Sequence, residues 1–386
     1  IRTDPKGDFL PMQHTAKRSL CAVGLAAALL LAGCGSSAPA QPASSAAVSS
    51  APAAPEGPQM TYSQTETVPA ETYRDQSEFA DFLGRAEAQF VIPGLAESLI
   101  PQGMDLCDET GILYISGYSA TSGKSSALLA VDTATGELTA EYILQKPGGL
   151  PFDGHVGGVA VTDTTLYLSG TKDTEGRPTI LEIPLSSLPA EGSHEITVEK
   201  TIPVPVSPSF LSCSGGYLWV GNFYHPGADY GLSPGMDYTT ADADGNELGC
   251  YILGYALAGG GPIAAEGDDY AQPDVVLAGP DKIQGVAVQD GAVTLSQSYG
   301  RKNNAALLRY RLDLDETLDT VLTVNGRDVK AYVLDSRRQT EAVTAMPMTE
   351  ALADTPDGGI YVLFESGAAK YANGTHRTDR VWKIRF

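Results

Sequence analysis

Gln102-Gly103-Met104-Asp105-Leu106, then Gly111-Ile112-Leu113-Tyr114-Ile115-Ser116-Gly117, then Ser126-Ala127-Leu128-Leu129-Ala130-Val131-Asp132, a Thr135-Gly136 turn and residues 138–144 make one complete unit of this chain. It holds four short β-rich runs, each stopped by Gly, Asp or Thr, which is how four antiparallel strands joined by tight turns read. The unit comes back. Gly157-Gly158-Val159-Ala160-Val161 leads to Thr165-Leu166-Tyr167-Leu168-Ser169-Gly170, residues 209–213 lead to 216–221, 284–288 to 292–298, and 350–353 to 359–364. Unit starts fall at 102, 157, 209, 284 and 350. A period near about 50 residues with four strands per unit specifies a β-propeller; an all-β sandwich would not repeat itself. We expect five four-stranded blades, or six if residues 61–95 or 313–345 hold another.

The last unit has room for three strands only, the third at 380–386. Residues 89–92, just ahead of the first unit, are expected to supply its fourth strand and close the ring by pairing the chain ends, which removes exposed edges. Two departures from the repeat stand out. Residues 226–248 form an insertion between the second and third strands of the third unit, expected to overhang the same face as the strand ends beside it. Asn325-Gly326 in the fourth unit signals an extra hairpin.

Ahead of the repeat the reading changes. Lys17-Arg18 is followed by an apolar run over residues 20–31 and by Leu31-Ala32-Gly33-Cys34. Twelve helical residues rise only about 18 Å, too short for a bilayer core of about 30 Å. Basic residues, an apolar run, a small residue and Cys are the order of a bacterial lipoprotein leader, in which Cys34 is diacylated and becomes the N-terminus. Met12 gives that leader an ordinary length, with residues 1–11 upstream. Residues 35–59 contain 19 Ala, Ser or Pro among 25, too little apolar bulk to offset ordering entropy, so they read as a tether. Phe79, Phe82 and Leu83 have helical spacing and predict one short helix. The expected organisation is a leader with upstream residues over 1–33, lipidated Cys and tether over 34–60, an extension over 61–88, and the propeller over 89–386. The membrane, through the lipid on Cys34, is the first partner, and the location is the cell surface or periplasm.

Composition excludes other partners. With 47 acidic and 25 basic residues, a net charge of −22, the chain lacks the basic surface that nucleic acid requires. The anchor must be greasy, since an anionic membrane would repel the protein. Cys107, Cys213 and Cys250 are odd in number and have no metal spacing, so they read as buried free thiols. Asp242-Ala243-Asp244-Gly245-Asn246-Glu247 fails the calcium-loop pattern, because Glu247 stands where Gly is needed, and it reads as a polar turn.

Several stretches carry a resemblance: Ile92-Pro93-Gly94-Leu95 with Ile100-Pro101-Gln102-Gly103, His155-Val156-Gly157-Gly158-Val159-Ala160-Val161, Lys282-Ile283-Gln284-Gly285-Val286-Ala287, and Phe364-Glu365-Ser366-Gly367-Ala368. Through them the chain resembles secreted bacterial β-propeller lipoproteins over residues 90–386, and more distantly the gluconolactonase-like and quinoprotein-like propellers. The resemblance implies the fold and is silent about reaction.

In a propeller the innermost strand of each blade starts, and the second ends, on one face, around the mouth of the central channel. Here the starts supply Gln102, His155, Gln284 and Glu350. The second-strand ends supply Tyr118, Asn222, Tyr224, His225, Tyr299, Arg301 and Glu365. This polar and aromatic set suits a polar small molecule or glycan. His155 reads as a base, a metal ligand or a hydrogen-bonded turn residue, and Glu365 as an acid or a partner of Arg301. No catalytic constellation is complete, and neither a metal nor a cofactor is specified. The expected function is a lipid-anchored binding module for a glycan, peptide, cell-wall fragment or protein partner. The alternative is a metal-dependent, lactonase-like hydrolase, with Glu350 and Asn222 as ligand candidates.

Overall fold

Alternation along single strands shows how the sequence builds this molecule. In Ala127–Asp132, Ala127, Leu129 and Val131 pack toward one neighbouring sheet while Leu128 and Ala130 pack toward the other. Side chains of a strand point alternately to its two faces, so an almost unbroken apolar run means a sheet covered on both sides. The same holds around the ring, where five apolar clusters fill the five interfaces between sheets. The computed structural model describes residues 59–69, 72, 77–227, 230–233, 235–236, 238–264, 270–316 and 319–386. The leader, Cys34 and the tether up to residue 58 lie outside them.

These residues form a five-bladed β-propeller. Its innermost strands are Leu99–Cys107, Val159–Val161, Phe210–Ser214, Ile283–Gln289 and Thr349–Asp354, each against the next and the last against the first. Glycine makes that approach possible. A Cβ on Gly103 would lie 2.5 Å from the Val159 nitrogen, one on Gly158 2.3 Å from the Leu211 nitrogen, and one on Gly285 2.8 Å from the Glu350 carbonyl oxygen. Each contact joins consecutive blades, so the recurring Gly of the unit start is the residue that lets five inner strands crowd one axis. Hydroxyls on the first and second strands also tie consecutive blades together. Ser116 Oγ donates to the Val156 carbonyl at 2.8 Å, Ser296 Oγ donates to the Glu350 carbonyl, and Ser214 Oγ accepts the Val288 N–H at 3.0 Å. The buried Asp105 carboxylate accepts N–H groups from Val161 and Cys213 on the next two blades.

The ring closes as expected, with the closing strand longer than residues 89–92. Ala86–Val91 pairs antiparallel with Arg380–Ile384, running from Ala86 opposite Ile384 to Val91 opposite Arg380. A second device crosses the same seam. Glu141, on the first blade, accepts the Thr61 and Tyr62 N–H groups at 2.7 and 2.9 Å. Asp379, on the last, accepts those of Thr67 and Val68 at 2.8 and 2.9 Å. The expected helix is Ala80–Arg85, after a 3₁₀ turn at Ser77–Phe79, and buries Phe79 and Phe82 between the fourth and fifth blades.

Among the described residues, 313–345 hold no sixth blade. Thr320–Val324 and Arg327–Val333 form the hairpin signalled by Asn325-Gly326, both of whose φ angles are positive, at 47° and 76°. The hairpin belongs to a different sheet from the one its sequence position implies. It adds to the third blade, Arg327–Val333 running parallel to Val275–Gly279. Gly192–Thr197 repeats the device, leaving the second blade to run parallel to Glu137–Lys146 of the first. The connection to the fourth strand thus extends the preceding blade twice. Cys107, Cys213 and Cys250 are free thiols.

Candidate functional site

Antiparallel pairing of the first two strands in the fifth blade sets Thr349 opposite Phe364. Glu350 follows Thr349 where the ladder turns irregular, Glu365 follows Phe364 at the strand end, and both side chains reach the same mouth of the channel. Their carboxyl groups hydrogen-bond to each other. Two carboxylates in contact cannot both be ionised, so one proton lies between them. Glu350 is buried, and burial, with the Glu365 charge beside it, pushes its carboxyl well above the usual range; it holds the proton and donates to Glu365. Burial also pushes Glu365 up to about 7, against the pull of Tyr371, Glu350, Lys370 and Gln102. Two amides from other blades complete the pair: Gln102 Nε2 donates to Glu365 Oε2 at 2.9 Å, and Gln284 Nε2 to Glu350 Oε1 at 3.3 Å.

Aromatic rings and cations surround the pair. The Tyr371 hydroxyl hydrogen-bonds with Glu365 and with Tyr118. Lys370 Nζ donates to the Tyr118 hydroxyl at 2.7 Å and lies 5.0 and 5.3 Å from the Tyr118 and Tyr371 ring centroids. Arg301 lies 4.8 Å from the Tyr371 centroid and donates to Asn373 Oδ1 at 2.9 Å. His155 stacks on Tyr118 with centroids 4.5 Å apart. Its ring touches solvent, yet the walls of the recess crowd it. That crowding, with Lys370 nearby, lowers its pKa to about 4, an effect that water in the mouth screens in part. The imidazole is accordingly neutral near pH 7.

A second aromatic group lies between the third and fourth blades. Tyr299 stands edge-on to His225 at 4.5 Å and tilted against Phe223 at 6.2 Å. Beside it a hollow of about 320 Å³ is lined by Lys282, Gln297, Ser298, Asn303 and Asn304. The turn bearing Tyr299 and Arg301 therefore sends one side chain toward the third blade and the other toward the fifth. The insertion, expected to overhang the mouth, starts here with a bridge between His225 and Tyr230, and Tyr230 packs edge-on against Phe223. Further along, its described residues meet the added hairpin, where Asn325 N–H bonds the Gly235 carbonyl and the Tyr238 hydroxyl bonds that of Thr323.

Gln102, Tyr118, His155, Gln284, Arg301, Glu350 and Glu365 thus converge at one mouth, and His225 and Tyr299 form the neighbouring group. Two expected ligand-binding residues turn away. Asn222 is fully buried, its Nδ2 donating to the Gly249 carbonyl at 3.0 Å and its Oδ1 accepting the Tyr251 N–H at 2.7 Å. It satisfies backbone groups where two strands separate. Tyr224 is buried in the apolar cluster between the third and fourth blades, with its ring against Gly249. Sequence reasoning missed Lys370 and Tyr371, which sit on the short 3₁₀ turn Ala369–Tyr371. Their signal was position, since they follow the second strand of the fifth blade as Tyr299 and Arg301 follow that of the fourth. Among the described residues, no group of three or more His, Cys, Asp or Glu side chains gathers to hold a metal.

No protein-family model and no curated protein matches the chain. Solved structures are similar to it. A glutaminyl cyclase of Myxococcus xanthus is 13% identical, with a TM-score of 0.36 over 78% of this chain and 94% of its own. A Thermus thermophilus protein described as an oxidoreductase (glucose dehydrogenase) is 15% identical, with a TM-score of 0.36 over 78% and 99%. The β-xylosidase RS223 is 11% identical, with a TM-score of 0.43 over 74% and 90%. At such identities and scores the likeness concerns the fold alone.

Proposed function

We propose that this chain is a lipid-anchored, extracytoplasmic binding module whose channel mouth takes a polar ligand such as a glycan, peptide or cell-wall fragment. The observation that carries this reading is the proton-sharing pair of Glu350 and Glu365, held by Gln102, Gln284 and Tyr371 at a mouth walled by aromatic rings. Burying two carboxyls costs several kcal/mol unless they are neutralised and hydrogen-bonded. Holding the blades together does not require them, because Ser116, Ser214 and Ser296 already link consecutive blades. The pair offers a hydroxyl or amine acceptor oxygens, while the exposed His155, backed by Tyr118, offers a ring face for stacking.

Binding is favoured over glycoside hydrolysis by distance. Carboxyls in hydrogen-bond contact are closer than the roughly 5 Å of a retaining glycosidase and much closer than the inverting spacing. The lactonase-like alternative loses Asn222, whose amide is committed to backbone groups.

The test is a screen of glycans, peptides and cell-wall fragments against the protein and its Tyr118→Ala/Glu365→Gln variant, with thermal melts alongside. Loss of binding in the variant without loss of fold supports the site, whereas identical ligand profiles would overturn it. Anchoring rests on the order of residues around Cys34 and on the tether after it. In Cys34→Ser the protein should leave the membrane fraction for the soluble exported one. A variant that stays membrane-bound through high-salt washing would rule out the lipid.

A further inference from the structure

Resting on that reading, we infer that the ligand is a sugar bearing a single carboxylate, received by Lys370 and Arg301 beside the Glu350–Glu365 pair. Both cations lean on one ring, 5.3 and 4.8 Å from the Tyr371 centroid, and that ring passes its hydroxyl to Glu365. Their other partners are neutral: the Tyr118 hydroxyl for Lys370 and the Asn373 amide oxygen for Arg301. Among the described residues neither makes an ion pair, although acidic residues outnumber basic ones by 47 to 25. Elsewhere on the surface cations do find carboxylates, as Arg85, Lys200, Lys383 and Arg385 show.

The charge count then points to the ligand. Above about pH 7.5, where Glu365 is ionised, a pair sharing one proton carries one negative charge, and the two cations carry two positive ones, with His155 neutral. The mouth is left with one positive charge in an otherwise anionic protein. One carboxylate balances that excess; a phosphate, at about −1.5 to −2, overshoots it. Guanidinium and ammonium groups on aromatic rings suit a carboxylate, which takes their hydrogen bonds directly. The sugar hydroxyls would face the carboxyl pair and its amides, and a sugar ring face would meet the exposed His155, which Tyr118 backs.

The experiment is calorimetric titration of the full chain in detergent with galacturonic acid, its methyl ester and galactose 6-phosphate. A charge-assisted hydrogen bond corresponds to at least about tenfold in affinity, so the acid should bind that much more tightly than the ester. Lys370→Met and Arg301→Gln should each shrink this preference while Glu365→Gln weakens acid and ester alike. Equal binding of acid and ester, or tighter binding of the phosphate, would overturn the inference. If Glu365→Gln still weakens those probes, the mouth survives as the binding site. Binding that ignores Glu365→Gln would remove the site itself, and the inference with it. Failure of all three probes would overturn the sugar acid and leave the wider screen to judge the mouth.

Discussion

The proton between Glu350 and Glu365 ties the stability of the folded chain to pH, and its sign can be worked out. Both carboxyls hold a proton more tightly in the folded chain than at the ordinary value of 4.5, Glu365 up to about 7. Stability from such groups is complete below about 4.5 and is lost as pH rises through the folded value. Asp354, pushed up to about 7 by burial, and Asp105, also raised by burial, act in the same direction. Asp319, Asp335 and Asp357 have the opposite sign, since Arg and Lys partners lower them, and they cost stability only in stronger acid. The melting temperature should therefore peak in mild acid and fall between about pH 5 and 8. Glu350→Gln keeps a donor for Glu365 and removes Glu350's own titration, leaving that of Glu365. Its melting curve should be flatter across that range and lie above that of the unaltered protein at pH 8. Parallel curves would mean that the pair does not share a proton. The side chains here were legible in part. Glu350, Glu365, Gln102 and Gln284 followed from strand position alone. Asn222 and Tyr224 occupy equivalent positions and turn inward, because one answers orphaned backbone groups and the other fills space left by Gly249. Nothing in residue type separates those two cases.

Strand order in the inner ring depends on glycine, and two substitutions separate its possible roles. Gly158→Ala would put a methyl group 2.3 Å from the Leu211 nitrogen, against backbone that cannot yield without parting the second and third blades. Overpacking of this kind costs about 1–3 kcal/mol or more, readable as a lowered urea midpoint. Gly84→Ala is the contrast, since nothing lies within 4 Å of the added carbon in an exposed turn of Ala80–Arg85. There the alanine should stabilise by roughly 0.5–1 kcal/mol, because it restricts the unfolded chain. If both variants unfold at the same urea concentration, the inner ring is not close-packed as described. The Gly-Gly-Val-Ala-Val pattern made the inner strands legible because sterics allow little else where blades meet. The crossing of Gly192–Thr197 and of the Asn325-Gly326 hairpin to preceding blades was not legible. A hairpin signal is local, while the edge it joins is chosen by long-range packing, here by Leu322, Val324 and Val329 against the third blade.

A ring built of five similar blades has one place where covalent continuity fails, and two devices cover it. One is the Ala86–Val91 strand on Arg380–Ile384; the other is the segment that docks on Glu141 and Asp379. They make separable contributions. A chain starting at Gln59 keeps both and should melt with the intact protein. Starting at Ser77 removes four N–H donors, leaving the buried Glu141 and Asp379 carboxylates without those partners. Stranding a buried acceptor costs about 1–3 kcal/mol, so this chain should still fold with a clearly lower urea midpoint. Starting at Gly94 removes the closing strand as well, together with Phe79 and Phe82, which fill the interface behind Trp382. The ladder of Arg380–Ile384 would then face solvent as an open edge, a template for pairing with another chain. That protein should elute as soluble aggregate or precipitate on refolding, even with the strong net negative charge that opposes association. The ordering of the three chains is the test. A chain from Gly94 that stays monomeric and melts with the chain from Ser77 would show that the closing strand adds nothing. A chain from Ser77 as stable as one from Gln59 would remove the carboxylate clasps from the account of the seam.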